Sequence, residues 1–382
     1  MRNADYHEAS ENAESKRLYY IDWLRVLVVL ALIPFHASLT YLRYGVVYIK
    51  EPVSGLASLP FLIIEVPLGD FFMTLLFFVS GVASYHSFNK RGTGLYIGER
   101  AQKLALPFGL GYILLCPVTA YIQALYEGFQ GGFISFLPRF FWYDTYHYLG
   151  YGHLWFLLYL FVFSIICVPL FKWWKAEGGH LERIGAFFSK GNRLLLPIAF
   201  IVLLEVYLRP RFHPDAFIIA GDWANVSVYL SLFIFGYVYA ADSRIQEKVK
   251  EYFKLSAVFG IMGLAALYYV NIHSQMFWSD ASYLGVLWVW AKGVYECAGI
   301  IFLLNFRRLC LNRKSRALTY LNRASFTIYI FHYLPVNFFT WLFIRLQMPI
   351  FAKYLLVVSL SYLAVFCIWE LWKRVSRIIT SV

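Results

Sequence analysis

The chain has 382 residues and a formal net charge of +12, yet only 15% of its residues are charged while 60% are hydrophobic and 20% aromatic. A soluble domain carries about a quarter of its residues as charge, so this composition, with a mean hydropathy of +0.59, excludes a water-soluble protein and any large soluble module. The apolar residues come in runs long enough to cross the roughly 30 Å hydrocarbon core as helices.

The expected fold is an all-α integral membrane protein with about ten transmembrane helices and both termini cytoplasmic. A tail (1–18) precedes a polytopic domain (19–373), and a short tail (374–382) follows it. The spans are read at 20–42, 61–86, 104–126, 153–174, 194–208, 226–241, 255–271, 283–306, 319–343 and 354–372. Most of the 34 Lys and Arg fall on the side of the N-terminal tail. The other side holds only Arg43, Lys50, Arg139, Arg209, Arg211, Arg345 and Lys353. That asymmetry is a topology signal. It explains the positive charge without a nucleic-acid partner and places the protein in the cytoplasmic (inner) membrane. The five cysteines lack CxxC spacing, so neither a disulfide framework nor a metal site is expected.

Charged and polar groups inside spans cost at least a few kcal/mol, so each asks for a partner or a task. In the first span Arg25 and His36 are eleven residues apart, which is about 20° beyond three turns and a rise of about 16 Å. Both project from one face, and Asp22 lies three residues before Arg25, within pairing range. Pro34 cannot donate to the carbonyl of Leu30, which loosens the helix just below His36. The second span carries Glu65 and Asp70, the latter near the midplane, where a carboxylate can orient or polarise a histidine. Lys90, Arg91, Arg100 and Lys103 then cluster on the basic side. Inside-positive bias accounts for such a cluster, and so does phosphate binding.

The outer segment 127–152 is rich in Gly and aromatics, a composition suited either to sugar stacking or to an interfacial belt. Glu205 is buried in the fifth span, and Arg209 and Arg211 follow at its outer end, where they could attract an acidic acceptor. Lys292 and Glu296, four apart in the eighth span, read as a structural ion pair. In the ninth span Ser325, Tyr329 and His332 share a face by i, i+4 and i+7 spacing, with His332 at a depth close to that of His36. Glu370 lies near the end of the tenth.

Five segments in order resemble the membrane-bound acyltransferase-3 family: Arg25 and His36 with ten residues between, Phe77-Phe-Val-Ser-Gly81, Arg100-Ala-Gln-Lys-Leu-Ala-Leu-Pro107, His153-Leu-Trp-Phe-Leu157 and Ser325-Phe-Thr-Ile-Tyr-Ile-Phe-His332. Within it the chain is most similar to the osmoregulated periplasmic glucan succinyltransferases, on Ile33-Pro-Phe-His36 and the segment following Gly152. The resemblance implies transfer of an acetyl- or succinyl-type group from cytoplasmic acyl-CoA to a hydroxyl of an extracytoplasmic or lipid-linked glycan. The family's key histidine and arginine match His36 and Arg25. Lys103 stands where the basic motif often has a second Arg, which keeps the charge but loses bidentate phosphate recognition.

On that reading His36 is the general base, since imidazole titrates near operating pH. Asp70, His332, Tyr329 and Ser325 are the supporting catalytic candidates. Arg25, Arg100, Lys103 and Arg91 are the acyl-CoA contacts, membrane lipid is a partner, and no permanent cofactor is needed. A multispan transporter is the alternative, with Lys292 and Glu296 in a proton relay. No inverted pair of Gly/Pro-broken helices supports it.

Overall fold

The computed structural model describes residues 19–43, 45, 47, 49–69, 71–143, 150–176, 178–212, 219, 221–273, 282–310 and 315–380. No strand occurs among them. Seven helical segments are long and apolar enough to cross a membrane: Tyr19–Leu39, Gly55–Arg91, Thr93–Tyr126, Trp223–Ala241, Phe253–His273, Tyr283–Phe306 and Ile350–Ser376. Two bent pairs, Gly152–Ile166 with Val168–Lys175 (42°) and Arg316–Phe331 with Tyr333–Phe343 (56°), bring the number to nine if each is one span. The fifth expected span is the 14-residue helix Leu195–Leu208, whose length of about 21 Å falls short of the hydrocarbon thickness.

In chain order, α1 is Tyr19–Leu39, α2 Leu59–Gly69 and α3 Phe72–Arg91. Then come α4 Thr93–Arg100, α5 Leu106–Leu114, α6 Cys116–Tyr126, α7 Phe133–Pro138, α8 Trp155–Ile166, α9 Val168–Lys175 and α10 His180–Phe188. The second half holds α11 Leu195–Leu208, α12 Trp223–Ala241, α13 Ser243–Glu251, α14 Phe253–His273 and α15 Tyr283–Cys310. It ends with α16 Arg316–Phe331, α17 Tyr333–Phe343 and α18 Ile350–Thr380. The end of the bundle where α1 begins is called the near end, and the opposite one the far end.

Prolines explain both bends. Pro169 leaves the Ile165 carbonyl without its helical donor at the α8–α9 break, and Pro335 does the same to Phe331 at the α16–α17 break. The second break falls at His332.

Helices α3 and α12 cross with their backbones in contact. A Cβ added at Gly81 would overlap the carbonyl oxygen of Phe233, and one at Gly236 would overlap that of Phe78. Small residues let the two backbones touch, the usual basis of helix association in lipid. Around this crossing Phe77 stacks on Tyr229 with ring centroids 4.7 Å apart, and Phe171 stacks on Tyr237 at 3.8 Å.

The expected Lys292–Glu296 pair forms, and it belongs to a larger network. Lys292 also donates to Glu205 at 2.8 Å, and Glu205 receives a two-pronged bond from Arg209, both prongs 2.8 Å. All four side chains are buried. Lys292 thus ties α15 to α11 through Glu205, and Arg209 is a structural cation spent on that carboxylate, so it does not present its charge to an acceptor outside.

Helix α1 packs against α16 and α18. The Leu30 carbonyl that Pro34 leaves without a donor is met from α18 by the Tyr362 hydroxyl at 2.7 Å. Tyr354 donates to the Pro34 carbonyl itself at 3.3 Å. Lipid offers no water for such a carbonyl, so a side chain from a neighbouring helix has to satisfy it.

Candidate active site

His36 lies in the last turn of α1, two residues beyond Pro34. His332 occupies the α16–α17 bend and is fully buried. Their ring centroids are 5.2 Å apart. A third imidazole completes the group: His153, 4.9 Å from His332. The ring of Tyr333 packs between, 4.9 Å from His36 and 5.3 Å from His153. Three histidines from three separate spans thus converge in the far half of the bundle.

Their hydrogen bonds fix the tautomers, because a carbonyl only accepts. His332 Nδ1 lies 2.7 Å from the Tyr329 carbonyl and donates to it, so Nε2 keeps its lone pair. His153 donates from Nε2 to the Ile330 carbonyl at 2.8 Å, and its Nδ1 keeps the lone pair. Both carbonyls belong to the last turns of α16, beside the break. His332 Nε2 and His36 Nδ1 are buried without a hydrogen-bond partner among the described residues. Buried polar atoms left unpaired are uncommon and point to groups held ready for a ligand or a proton.

Of the other expected catalytic residues, Tyr329 belongs to the cluster, with its ring 5.9 Å from that of His153. Its hydroxyl donates to the His153 carbonyl at 2.7 Å, which makes it a support for that loop. Ser325 sits one turn nearer the α16 start and donates to the Asn322 carbonyl within its own helix. Asp70 lies outside the described residues.

His153 is the residue that sequence reasoning left without a role. It sits where the chain leaves a loop and enters a 3-10 turn (Gly152–Leu154), so no helical face marks it. Gly150 and Gly152 flank the turn with φ of 52° and 51°, a left-handed conformation that glycine adopts at little cost. The available signal was its segment, His153-Leu-Trp-Phe-Leu157, one of the five that carry the family resemblance.

Toward the far end the cluster borders a cavity of about 20 Å³, lined among others by His153, Tyr333, Thr119, Gln123 and Asn337. That is room for about one water molecule or one hydroxyl. The loop after α1 walls this end. Lys50 Nζ caps α1 by donating to the carbonyls of Leu39 and Leu42 at 3.0 and 3.2 Å, and Glu51 pairs with the buried Lys353 at 2.6 Å.

At the near end Arg25 pairs with Asp22 at 3.6 Å, as its spacing implied, and reaches Asn322 of α16 at 3.4 Å. The expected phosphate cluster is divided. Glu99 binds Arg91 and also Lys103, the latter at 2.7 Å. Arg100 turns inward instead, donating to Ser84 at 3.2 Å over the ring of Tyr96. Its Nε is buried without a partner among the described residues. No group of three or more His, Cys, Asp or Glu that could hold a metal occurs among the described residues.

Tyr362→Phe should lower the melting temperature, because it strips the hydroxyl from the Leu30 carbonyl that holds the Pro34 break in place, at a cost of about 1–3 kcal/mol. Thermal melting beside the wild type reads the loss.

Comparison with known proteins identifies the family. The acyltransferase domain of the acyltransferase-3 type matches residues 18–370. The chain is similar to glucans biosynthesis protein C of Escherichia coli O6:K15:H31 (strain 536 / UPEC), 25% identical over 341 residues that cover 85% of this chain and 83% of the relative. It is also similar to the protein of that name from E. coli strain K12, at 24% over 340 residues with the same coverage. No solved structure matches significantly. With nearly its whole length matched, and with Arg25, His36 and the His153 and His332 segments gathered in one bundle, the chain belongs to the acyltransferase-3 family.

Proposed function

We propose that the protein transfers an acyl group of acetyl or succinyl type from cytoplasmic acyl-CoA to a hydroxyl of an extracytoplasmic or lipid-linked glycan, with His36 as general base. The observation that carries this is the pair of unspent ring nitrogens, His36 Nδ1 and His332 Nε2, in a buried cluster of imidazoles. On this reading the near end is cytoplasmic, as the Lys and Arg bias implies, both termini lie there, and the membrane is the cytoplasmic one. The name of the E. coli relatives, glucans biosynthesis protein C, supports a glucan as acceptor class.

The acceptor hydroxyl enters through the small polar cavity beside His153. His36 removes its proton as the oxygen attacks the thioester carbonyl. The carbon–sulfur bond then breaks, and the proton returns through the imidazole to the departing thiolate, which leaves as free CoA. His332, 5.2 Å from His36, accepts in relay with its Nε2. Arg25 stands about 16 Å below His36 along α1, which suits a guide at the mouth of a donor arm, and the buried Nε of Arg100 is a second donor contact. Arg91 and Lys103 already share Glu99, so their contribution to phosphate binding is the smaller. A transport role draws no support from Lys292 and Glu296, since both are locked with Glu205 and Arg209.

The test is acyl-CoA turnover by purified protein beside His36→Ala. The donors are acetyl- and succinyl-CoA with a glucan acceptor, and free CoA and acceptor mass are followed. Loss of a general base should lower kcat about 10²- to 10⁴-fold. Unchanged turnover in His36→Ala, or wild-type protein that consumes no acyl-CoA, would sink the proposal and send the work to transport assays.

A further inference from the structure

At the near end a groove of about 510 Å³ opens between the first turns of α16 and the end of α18. Arg316, Thr319, Tyr320 and Arg323 line one wall, and Trp369 and Lys373 the other. The volume is that of a site for a nucleotide-sized ligand. On α16 these residues follow one another at i, i+3, i+4 and i+7, so they form a single stripe along the helix. Ser315 caps the start of this 16-residue helix by accepting from Leu318, and the helix start itself adds a partial positive charge.

The charges in the groove differ in how far they are already used. Lys373 donates to both oxygens of Glu370, at 2.9 and 2.8 Å. Arg316 and Arg323 are exposed and have no acidic or hydrogen-bond partner among the described residues. In the α4 region, by contrast, Glu99 takes two of the basic side chains. Arg316 and Arg323 on α16 are therefore open to an anion in a way that Arg91 and Lys103 are not. Tyr320 and Trp369 add aromatic surface of the kind on which a purine stacks. Asn322, next to Arg323 in the chain, bonds Arg25 at 3.4 Å, so the groove and the Arg25 mouth lie on adjoining flanks of one helix.

We propose that this groove binds the phosphorylated nucleotide end of the acyl donor, with Arg316 and Arg323 on its phosphates and Tyr320 and Trp369 against its base. The proposal rests on the reading of acyl-CoA as donor. From the groove the thioester arm passes Asn322 and Arg25 and rises between α1 and α16 toward His36. The same anion chemistry would hold the headgroup of an acidic lipid, and the experiment separates the two.

The full chain in zwitterionic lipid nanodiscs, wild type and Arg316→Gln/Arg323→Gln, is assayed with two thioesters: acetyl-CoA, and S-acetyl-pantetheine, which lacks the nucleotide. Binding of adenosine 3′,5′-bisphosphate is measured alongside, and both preparations are checked by thermal melting. Loss of charge-assisted contacts from two arginines should raise KM for acetyl-CoA at least about tenfold. It should weaken bisphosphate binding to a similar degree and leave turnover of S-acetyl-pantetheine within about twofold. An unchanged KM for acetyl-CoA in a wild type that transfers overturns the groove assignment and spares the proposed function. If the wild type transfers from neither thioester but binds the bisphosphate through these arginines, the acyltransferase mechanism fails and the nucleotide site stands. If the variant loses only retention of anionic lipid, with KM and bisphosphate binding intact, the groove is a headgroup site and the proposal is wrong.

Discussion

Lys292→Met should destabilise the protein by about 3–5 kcal/mol, because it leaves two buried carboxylates facing one cation. The wild-type network is balanced: Glu205 and Glu296 against Arg209 and Lys292, none of them reached by water. Lys292 is the link between the carboxylates, 2.8 Å from Glu205 and in contact with Glu296. Removing it strands the charge of Glu296 in a medium that cannot solvate it. The second substitution in Lys292→Met/Glu296→Leu restores the balance, since the Arg209–Glu205 pair then stands alone and complete. The double variant should regain most of the loss. Thermal unfolding in detergent of the four members of this cycle isolates the coupling. A single variant as stable as the wild type would mean that water reaches the network.

Gly81→Val should cost still more and leave little folded protein in the membrane. Any side chain there must push α12 away, because the clash is with the main-chain oxygen of Phe233 and not with a side chain that can turn aside. Gly236 meets Phe78 from the other side of the same crossing, so the two helices have no slack to share. Overpacking typically costs about 1–3 kcal/mol. Here it would also break the packing of Phe77 on Tyr229 and separate the face of α3 from its neighbours. Gly94→Ala, at a helical position with nothing within 4 Å of the added atom, is the control and should be neutral or slightly stabilising. Yield of monodisperse protein and melting temperature read out both. A Gly81→Val protein that purifies and melts like the wild type would show that the crossing is looser than the geometry implies.

Much of the bundle was legible because lipid imposes one rule, a continuous apolar run per crossing, and the runs are in the sequence. The bends were written there too, in Pro169 and Pro335, but a hydropathy window does not register a proline that splits a span. The shared face of Arg25 and His36 followed from helical spacing alone. Arg209 was misread for a related reason. It falls one residue past the apolar run, so it was assigned to the outer surface, although its i+4 spacing from Glu205 already announced a pair. The division of the basic cluster by Glu99 depends on which way side chains turn between α3 and α4, and sequence does not carry that. His153 escaped because it stands at the very start of its span, in a 3-10 turn that precedes the helix, where no periodicity ties a residue to the spans it will meet.

The histidine cluster draws on α1, the entry to α8 and the bend after α16, while the Pro34 break that aims His36 is held by α18. A membrane protein is delivered from its N-terminus onward, so the first helix inserted stays incomplete until the last one arrives. Until then the Leu30 carbonyl has no hydroxyl to meet it, although the imidazole of His332 is already in the chain. The Pro34 break is therefore secured only when the final helix docks, and a chain stopped short of α18 leaves the turn that carries His36 without that support.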